Sequence, residues 1–158
     1  MLVVRSALPE EIGILAAIGL SAWRKGIAPL VTETVATRIA ASNPFLPFLE
    51  GLGSRVLVAE IDGAAAGIGA CERNDDTISD IWIAPAFEGR GAGSALIGAL
   101  EAQIAGRGYA EAHIQVAARN ERALQLYRHL GYREIWRKVL FDAVLETDLE
   151  KISLSKAL

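Results

Sequence analysis

Apolar and polar positions along the chain switch between two periods, and the switches mark the elements. Leu2 to Ala7 reads as a short strand, after which Pro9-Glu10-Glu11 opens a helix with proline near its first position and acids in its first turn. Ile12, Leu15, Ala16, Leu20 and Trp23 follow at helical spacing and share one face. A second helix is predicted from Thr32 to Ala41. Asn43-Pro44 and Pro47 break it, and Gly51 to Ser54 reads as a loop. Arg55 to Ile61 is a strand, Asp62-Gly63 a hairpin signal and Ala64 to Arg73 its partner. After the turn Asn74-Asp75-Asp76, Thr77 to Ala84 is a third strand of this meander, closed by Pro85. Leu96, Ile97, Leu100 and Ile104 form the stripe of another helix, stopped by Gly106-Arg107-Gly108. Ala110 to Ala118 is a strand, and Asn120 caps a helix from Glu121 to Leu130 that ends at Gly131. Tyr132 to Phe141 and Lys151 to Leu158 are the last strand candidates.

This order describes a mixed sheet with helices on its faces. At 158 residues, with no internal repeat and no shift in composition, residues 1–158 read as a single domain. Hydrophobic residues make up 52% and charged residues 22%, enough apolar material for a core and too much for disorder. A net charge of -3 argues against nucleic acid as a partner, since such proteins usually present a basic face. The single cysteine, Cys71, excludes a disulfide framework and a multi-cysteine zinc site, and 2 His leave little else for a metal. Mean hydropathy is positive, at +0.30, yet no apolar run approaches the roughly 18 residues of a spanning helix. Arg5, Glu10 and Glu11 interrupt any signal core. The expectation is a cytoplasmic chain without membrane contact.

The 15 glycines are the compositional feature with chemical content. A strand runs into Glu88-Gly89-Arg90-Gly91-Ala92-Gly93-Ser94 and then a helix, which leaves backbone N–H groups free at a positive helix end. Such a turn suits phosphate, with Arg90 adding charge beside it. On the glycines alone, a phosphate cradle and an ordinary tight turn fit equally well. No Lys follows the glycines as a P-loop requires. The dinucleotide fingerprint also fails, because the spacing is G-x-G-x-G and the preceding strand belongs to a meander. A pyrophosphate-bearing cofactor of another kind remains.

Ile81-Trp82-Ile83-Ala84-Pro85, the glycine turn, then Asn120, Ala123, Leu126-Tyr127 and Leu130-Gly131-Tyr132 together resemble the GNAT superfamily of acyl-CoA-dependent N-acyltransferases. The motifs run from Ile81 to Tyr132, and the element order matches over nearly the whole chain. The resemblance implies an α/β (α+β) fold: a mixed, mostly antiparallel central sheet of six to seven strands with about four helices on its faces. It also implies acetyl-CoA as co-substrate and no metal. In the family signature Q/R-x-x-G-x-G/A, Glu88 stands where Gln or Arg is usual. An acid facing a pyrophosphate would repel it, so Glu88 is expected to point away and contribute its amide.

What the resemblance implies about the site is specific. The strand before the glycine turn and the strand after the next helix splay apart, and the pantetheine arm of CoA lies in the gap. Ile81, Trp82 and Ile83 line it, with Ile81 and Ile83 bonding the arm as a substitute strand would. Gly89, Arg90, Gly91, Ala92, Gly93 and Ser94 bind the phosphates, and Asn120 contacts the cofactor while also fitting a helix N-cap. Tyr127 is the expected general acid, because a phenol of pKa about 10 is protonated at neutral pH and can protonate a departing thiolate.

The acceptor amine must be neutral to attack. For a lysine-like amine this costs about 4.6 kcal/mol at pH 7, so a base is valuable. Relatives that acetylate protein N-termini carry a Glu where Gln115 stands, and Gln cannot take a proton. Thr77 and Ser79 occupy positions where other relatives carry an acid or a His, which leaves Asp80, Glu72, His113 or a water chain. Asp80 is the candidate base, although strand alternation puts it on the face opposite Ser79. Trp23 and Gln115 are candidate substrate contacts, with Phe45, Phe48, Trp136 and Phe141 in the same regions. Val139 to Leu145 equally suits a homodimer surface. The leading reading is transfer of the acetyl group of acetyl-CoA to a primary amine of a small molecule; acetylation of a protein or peptide N-terminus and a non-catalytic acyl-CoA-binding module are the alternatives.

Overall fold

The computed structural model describes residues 1–158. In chain order the elements are β1 (Leu2–Ser6), α1 (Ile12–Gly26), α2 (Glu33–Ser42), α3 (Phe45–Leu52), β2 (Leu57–Ile61), β3 (Ala64–Ala70), β4 (Thr77–Ile78), β5 (Asp80–Ile83), α4 (Ala92–Gly106), β6 (Glu111–Ala117), α5 (Glu121–His129), β7 (Arg133–Asp142) and β8 (Thr147–Ala157). They build a mixed α/β fold of the expected class. Its strands form two four-stranded sheets, ordered β1-β2-β3-β5 and β4-β6-β8-β7. No helix is long and apolar enough to cross a membrane.

The departure from six to seven strands has one cause. The run Thr77 to Ala84 divides at Ser79, so that β4 pairs in parallel with β6 while β5 pairs antiparallel with β3. At the break, the Ser79 amide bonds the Ala70 carbonyl at 3.0 Å, and Asp80 is also opposite Ala70 in the register. Two residues facing one is a bulge, which bends the strand and ends its pairing with one sheet. The Ser79 hydroxyl fixes the bend, accepting the Glu72 amide at 2.8 Å.

A fifth helix, α3, occupies a stretch where prolines were expected to break structure. Pro44 sits at its N-cap and Pro47 within its first turn. The N–H groups of a first turn have no helical acceptor, so proline there removes nothing that the helix uses. Phe45 of α3 packs edge-on against Trp82 at 5.2 Å between ring centroids. Its ring lies so close to Gly19 of α1 that a Cβ there would stand 2.6 Å from it.

Strand alternation divides the interior in two. Leu57, Ala59 and Ile61 of β2 join Leu96, Ile97, Leu100 and Ile104 of α4 in one buried cluster. Val56 and Val58 face the opposite way, into a second cluster with Leu15, Ala16 and Trp23 of α1 and Phe45 and Leu49 of α3. The predicted stripes of both helices are thus the faces they bury.

Part of the glycine excess follows from this packing. Gly67 and Gly69 of β3 lie directly opposite Ile83 and Ile81 of β5. A Cβ on Gly67 would meet the Ile83 side chain at 2.5 Å and the Trp82 carbonyl at 2.9 Å. Bare backbone at these positions lets both isoleucines lean over β3 toward α4. Gly67→Ala is therefore expected to lower stability by about 1–3 kcal/mol, the usual cost of overpacking. Urea unfolding checks it, with Gly13→Ala, where a Cβ meets nothing within 4 Å, as the tolerated control.

Candidate active site: a cleft along the free edge of a strand

The break at Ser79 leaves β5 at the edge of its sheet. Ala84 donates to the Ala66 carbonyl at 2.8 Å. Alternate residues of an antiparallel strand turn their polar groups to the same side, so Trp82 faces β3 and Ile81 and Ile83 present their N–H and C=O groups to the free edge. That edge is one wall of a cleft of about 640 Å³. The glycine turn closes its end, α5 forms the facing wall, and the C-terminal turn of α1 with Pro29 and Leu30 covers it.

The turn has the character of an anion cradle. The amides of Gly89, Arg90, Gly91, Ala92, Gly93 and Ser94 find no acceptor within the fold, and no side chain caps α4. Gly89 and Gly91 hold φ of 75° and 89°, conformations that favour glycine and curl successive amides toward a common centre. Gly93 is small for a different reason: a Cβ there would stand 3.2 Å from Leu126 of α5. It sets how closely the two helices approach.

Charge in the cleft is arranged differently from the expectation. Glu88 does not point away. It lines the cleft, 18% exposed, with its carboxylate 2.5 Å from Lys25 Nζ and 2.8 Å from Arg122 Nη1. Arg90 is not brought into the cleft. Its guanidinium lies 3.6 Å from the Asp62 carboxylate at the hairpin and over the Phe87 ring. The cations that line the cleft are Lys25, Arg119 and Arg122. Sequence reasoning missed them because Lys25 ends a helix remote in the chain and the two arginines flank Asn120 outside any motif; their only signal was proximity to that asparagine.

Asn120 lines the cleft and caps α5, its side-chain oxygen accepting the Ala123 amide at 3.4 Å. Its amide nitrogen makes no hydrogen bond within the chain, so the cap leaves a donor over. Two turns along α5, Tyr127 reaches the cleft wall although the residue is buried. Burial, and secondarily the negative charge of Asp80, push its phenol well above the ordinary tyrosine range. Tyr127 is a neutral, protonated donor at physiological pH.

Asp80 is partly buried at the bulge and, unlike its neighbours Ile81, Trp82 and Ile83, is not among the residues that line the cleft. It accepts from the Ser79 hydroxyl at 2.6 Å and from Trp82 Nε1 at 2.9 Å. Alternation had placed Ser79 and Asp80 on opposite faces; the bulge cancels that alternation and brings the two side chains together. Burial raises the Asp80 carboxyl above the usual carboxylate range, against the lowering effect of its two hydrogen bonds.

Other candidates are not assembled here. Trp23 is 5% exposed inside the second core cluster and does not reach the cleft. Gln115 is exposed on β6, opposite Ser153, outside the cleft lining. His113 lies 3.8 Å from both Asp76 and Glu111, and exposed Glu72 also lies outside the cleft.

Comparison with known proteins defines the class. The model of the acetyltransferase (GNAT) family matches residues 30–132, and the chain belongs to that family. Among solved structures, a GCN5-related N-acetyltransferase from Rhodopseudomonas palustris superposes with a TM-score of 0.80 at 23% identity, over 99% of this chain and 95% of that one. A putative acetyltransferase, yncA, from Salmonella typhimurium, solved with its cofactor acetyl-CoA, gives 0.72 at 19% identity, over 100% and 94%. The ribosomal-protein-alanine N-acetyltransferase from Brucella melitensis gives 0.71 at 20%, over 99% of each. These likenesses show the fold.

The protonation of the cleft has a direct optical readout. Tyr132 is also raised, by burial and by donating to Glu101 at 2.8 Å. Neither Tyr127→Phe nor Tyr132→Phe should therefore reduce the rise in tyrosinate absorbance of the folded protein between about pH 9 and 11. A loss in the Tyr127 variant would contradict the raised pKa.

Proposed function

We propose that the protein transfers the acetyl group of acetyl-CoA to a primary amine of a small molecule. The observation that carries the reading is the run of unpartnered amides from Gly89 to Ser94, placed at the end of a free strand edge and within the same cleft as Tyr127. The residues present fit such a co-substrate. Amides at a helix N-terminus suit a diphosphate, the edge of β5 suits the amides of a pantetheine arm, and cations line the cleft to meet further phosphate charge. Acetyl-CoA, when bound, supplies the acetyl thioester.

The chain's own residues then have separable tasks. Backbone groups of Ile81 and Ile83 hold the arm at the edge of β5, and Trp82 anchors that strand through its ring. The turn amides hold the phosphates, the Arg90 amide among them while its side chain stays with Asp62. The spare donor of Asn120 bonds the cofactor. Tyr127 gives its proton to the departing sulfur as the C–S bond breaks. Asp80, set outside the cleft lining, takes the proton from the amine through an intervening water as the C–N bond forms, and its raised pKa makes it a better acceptor than an ordinary surface carboxylate. A small-molecule acceptor is favoured over a peptide N-terminus because Gln115 offers no base.

Acetyl-CoA at about 100 times its dissociation constant should raise unfolding stability by about 2.7 kcal/mol, read as a thermal shift; no shift at millimolar ligand sinks the reading. Tyr127→Phe should lower kcat by about a hundredfold or more with acetyl-CoA affinity unchanged. With Asp80→Asn, the rise of kcat/KM with pH through the raised carboxyl pKa should disappear, because the base ionises as pH increases. A panel of amines assayed by thiol release identifies the acceptor. Turnover confined to peptide N-termini, or binding with no turnover, would replace the small-molecule assignment.

A further inference from the structure

Resting on the acyl-CoA reading, we infer that Lys25, Glu88 and Arg122 form an ionic clasp across the cleft, in which Glu88 holds two cations that the phosphates of the incoming donor take over. Glu88 thereby sets the protein's selectivity between phosphorylated and phosphate-free acyl donors.

The three residues come from separate elements: the last turn of α1, the start of the glycine turn and the first turn of α5. All line the same cleft, and their charged groups meet there at 2.5 and 2.8 Å. Glu88 is the residue immediately before the six free amides. A carboxylate beside the positive end of a helix is electrostatically favoured, and here it stands where a ligand anion would share the same field. It is therefore a stand-in for that anion, built into the chain.

The asymmetry of exposure indicates which partners move. The Glu88 side chain is 18% exposed and its backbone is part of the turn. Lys25 and Arg122 are 52% and 65% exposed, on long side chains that can swing. A diphosphate carries more charge than one carboxylate and more acceptor oxygens, so it can draw both cations away from Glu88. The remaining carboxylate still opposes the ligand, which lowers affinity for every phosphorylated donor. A donor without phosphate does not meet this opposition. Arg90 cannot take the place of the clasp cations without leaving Asp62.

Glu88→Gln keeps the shape and removes the charge. Calorimetric titration of the full chain should show CoA binding about tenfold tighter in Glu88→Gln at low ionic strength, with the gain shrinking as salt screens it. Affinity for acetyl-pantetheine, which has the thioester and arm but no phosphate, should not change. Adding Lys25→Met and Arg122→Met to Glu88→Gln should abolish the gain for CoA. Unchanged or weaker CoA binding by Glu88→Gln, with wild-type melting of the free variant, overturns the clasp while leaving the acyl-CoA reading intact. An equal change for CoA and acetyl-pantetheine also overturns it. Failure of the wild-type chain to bind either CoA or acetyl-pantetheine overturns the acyl-CoA reading itself.

Discussion

The bulge at Ser79 is the constraint from which the site follows. A continuous strand from Thr77 to Ala84 would pair with its neighbours along its whole length and leave no free backbone. Because Ser79 and Asp80 both face Ala70, the strand turns out of one sheet and into the other. β4 then belongs with β6 and β5 with β3, which leaves the outer edge of β5 unpaired as one wall of the cleft. The same defect brings the Ser79 hydroxyl to the Asp80 carboxylate, and so fixes a partly buried acid on the strand that forms one wall of the cleft. An edge strand exposing unpaired backbone is ordinarily a hazard; here the covering C-terminal turn of α1 and the facing wall of α5 shield that edge.

Around this opening, small residues decide distances and charged residues set the field. Gly67 and Gly69 let Ile83 and Ile81 lie back over β3, which fixes the wall of the cleft. Gly93 lets α5 approach α4, which brings Tyr127 and Asn120 to the opposite wall. Of the glycines that line the cleft, Gly89 and Gly91 are the ones required by backbone conformation. The unpartnered amides then supply a fixed positive field without any side-chain charge, while Lys25, Arg119, Glu88 and Arg122 supply one that can rearrange. Tyr127 adds a proton held firmly by burial.

Much of this was legible in the sequence, and the failures have physical causes. The stripes Leu15, Ala16, Trp23 and Leu96, Ile97, Leu100, Ile104 marked helices and equally marked their buried faces, which is why Trp23 belongs to the core and not to the cleft. The glycine turn, Asn120 and Tyr127 were readable because local conformation and spacing bring them together within one stretch of chain. Side-chain direction on the turn was not readable. Arg90 is turned by Asp62 and Glu88 by Lys25, and both partners are distant in sequence. Alternation misplaced Asp80 because a bulge leaves no trace in an apolar pattern. The helix α3 was hidden because proline is disruptive in a helix interior and harmless in a first turn.

The central claim is that the free edge of β5 and the amides of the glycine turn together form the binding surface for the donor. Residue-resolved hydrogen exchange with and without acetyl-CoA measures it directly. Slowed exchange of the amides among Gly89 to Ser94, together with the edge-facing Ile81 and Ile83, is the predicted result. Binding that leaves these amides exchanging as in the free protein, with protection elsewhere, would contradict it.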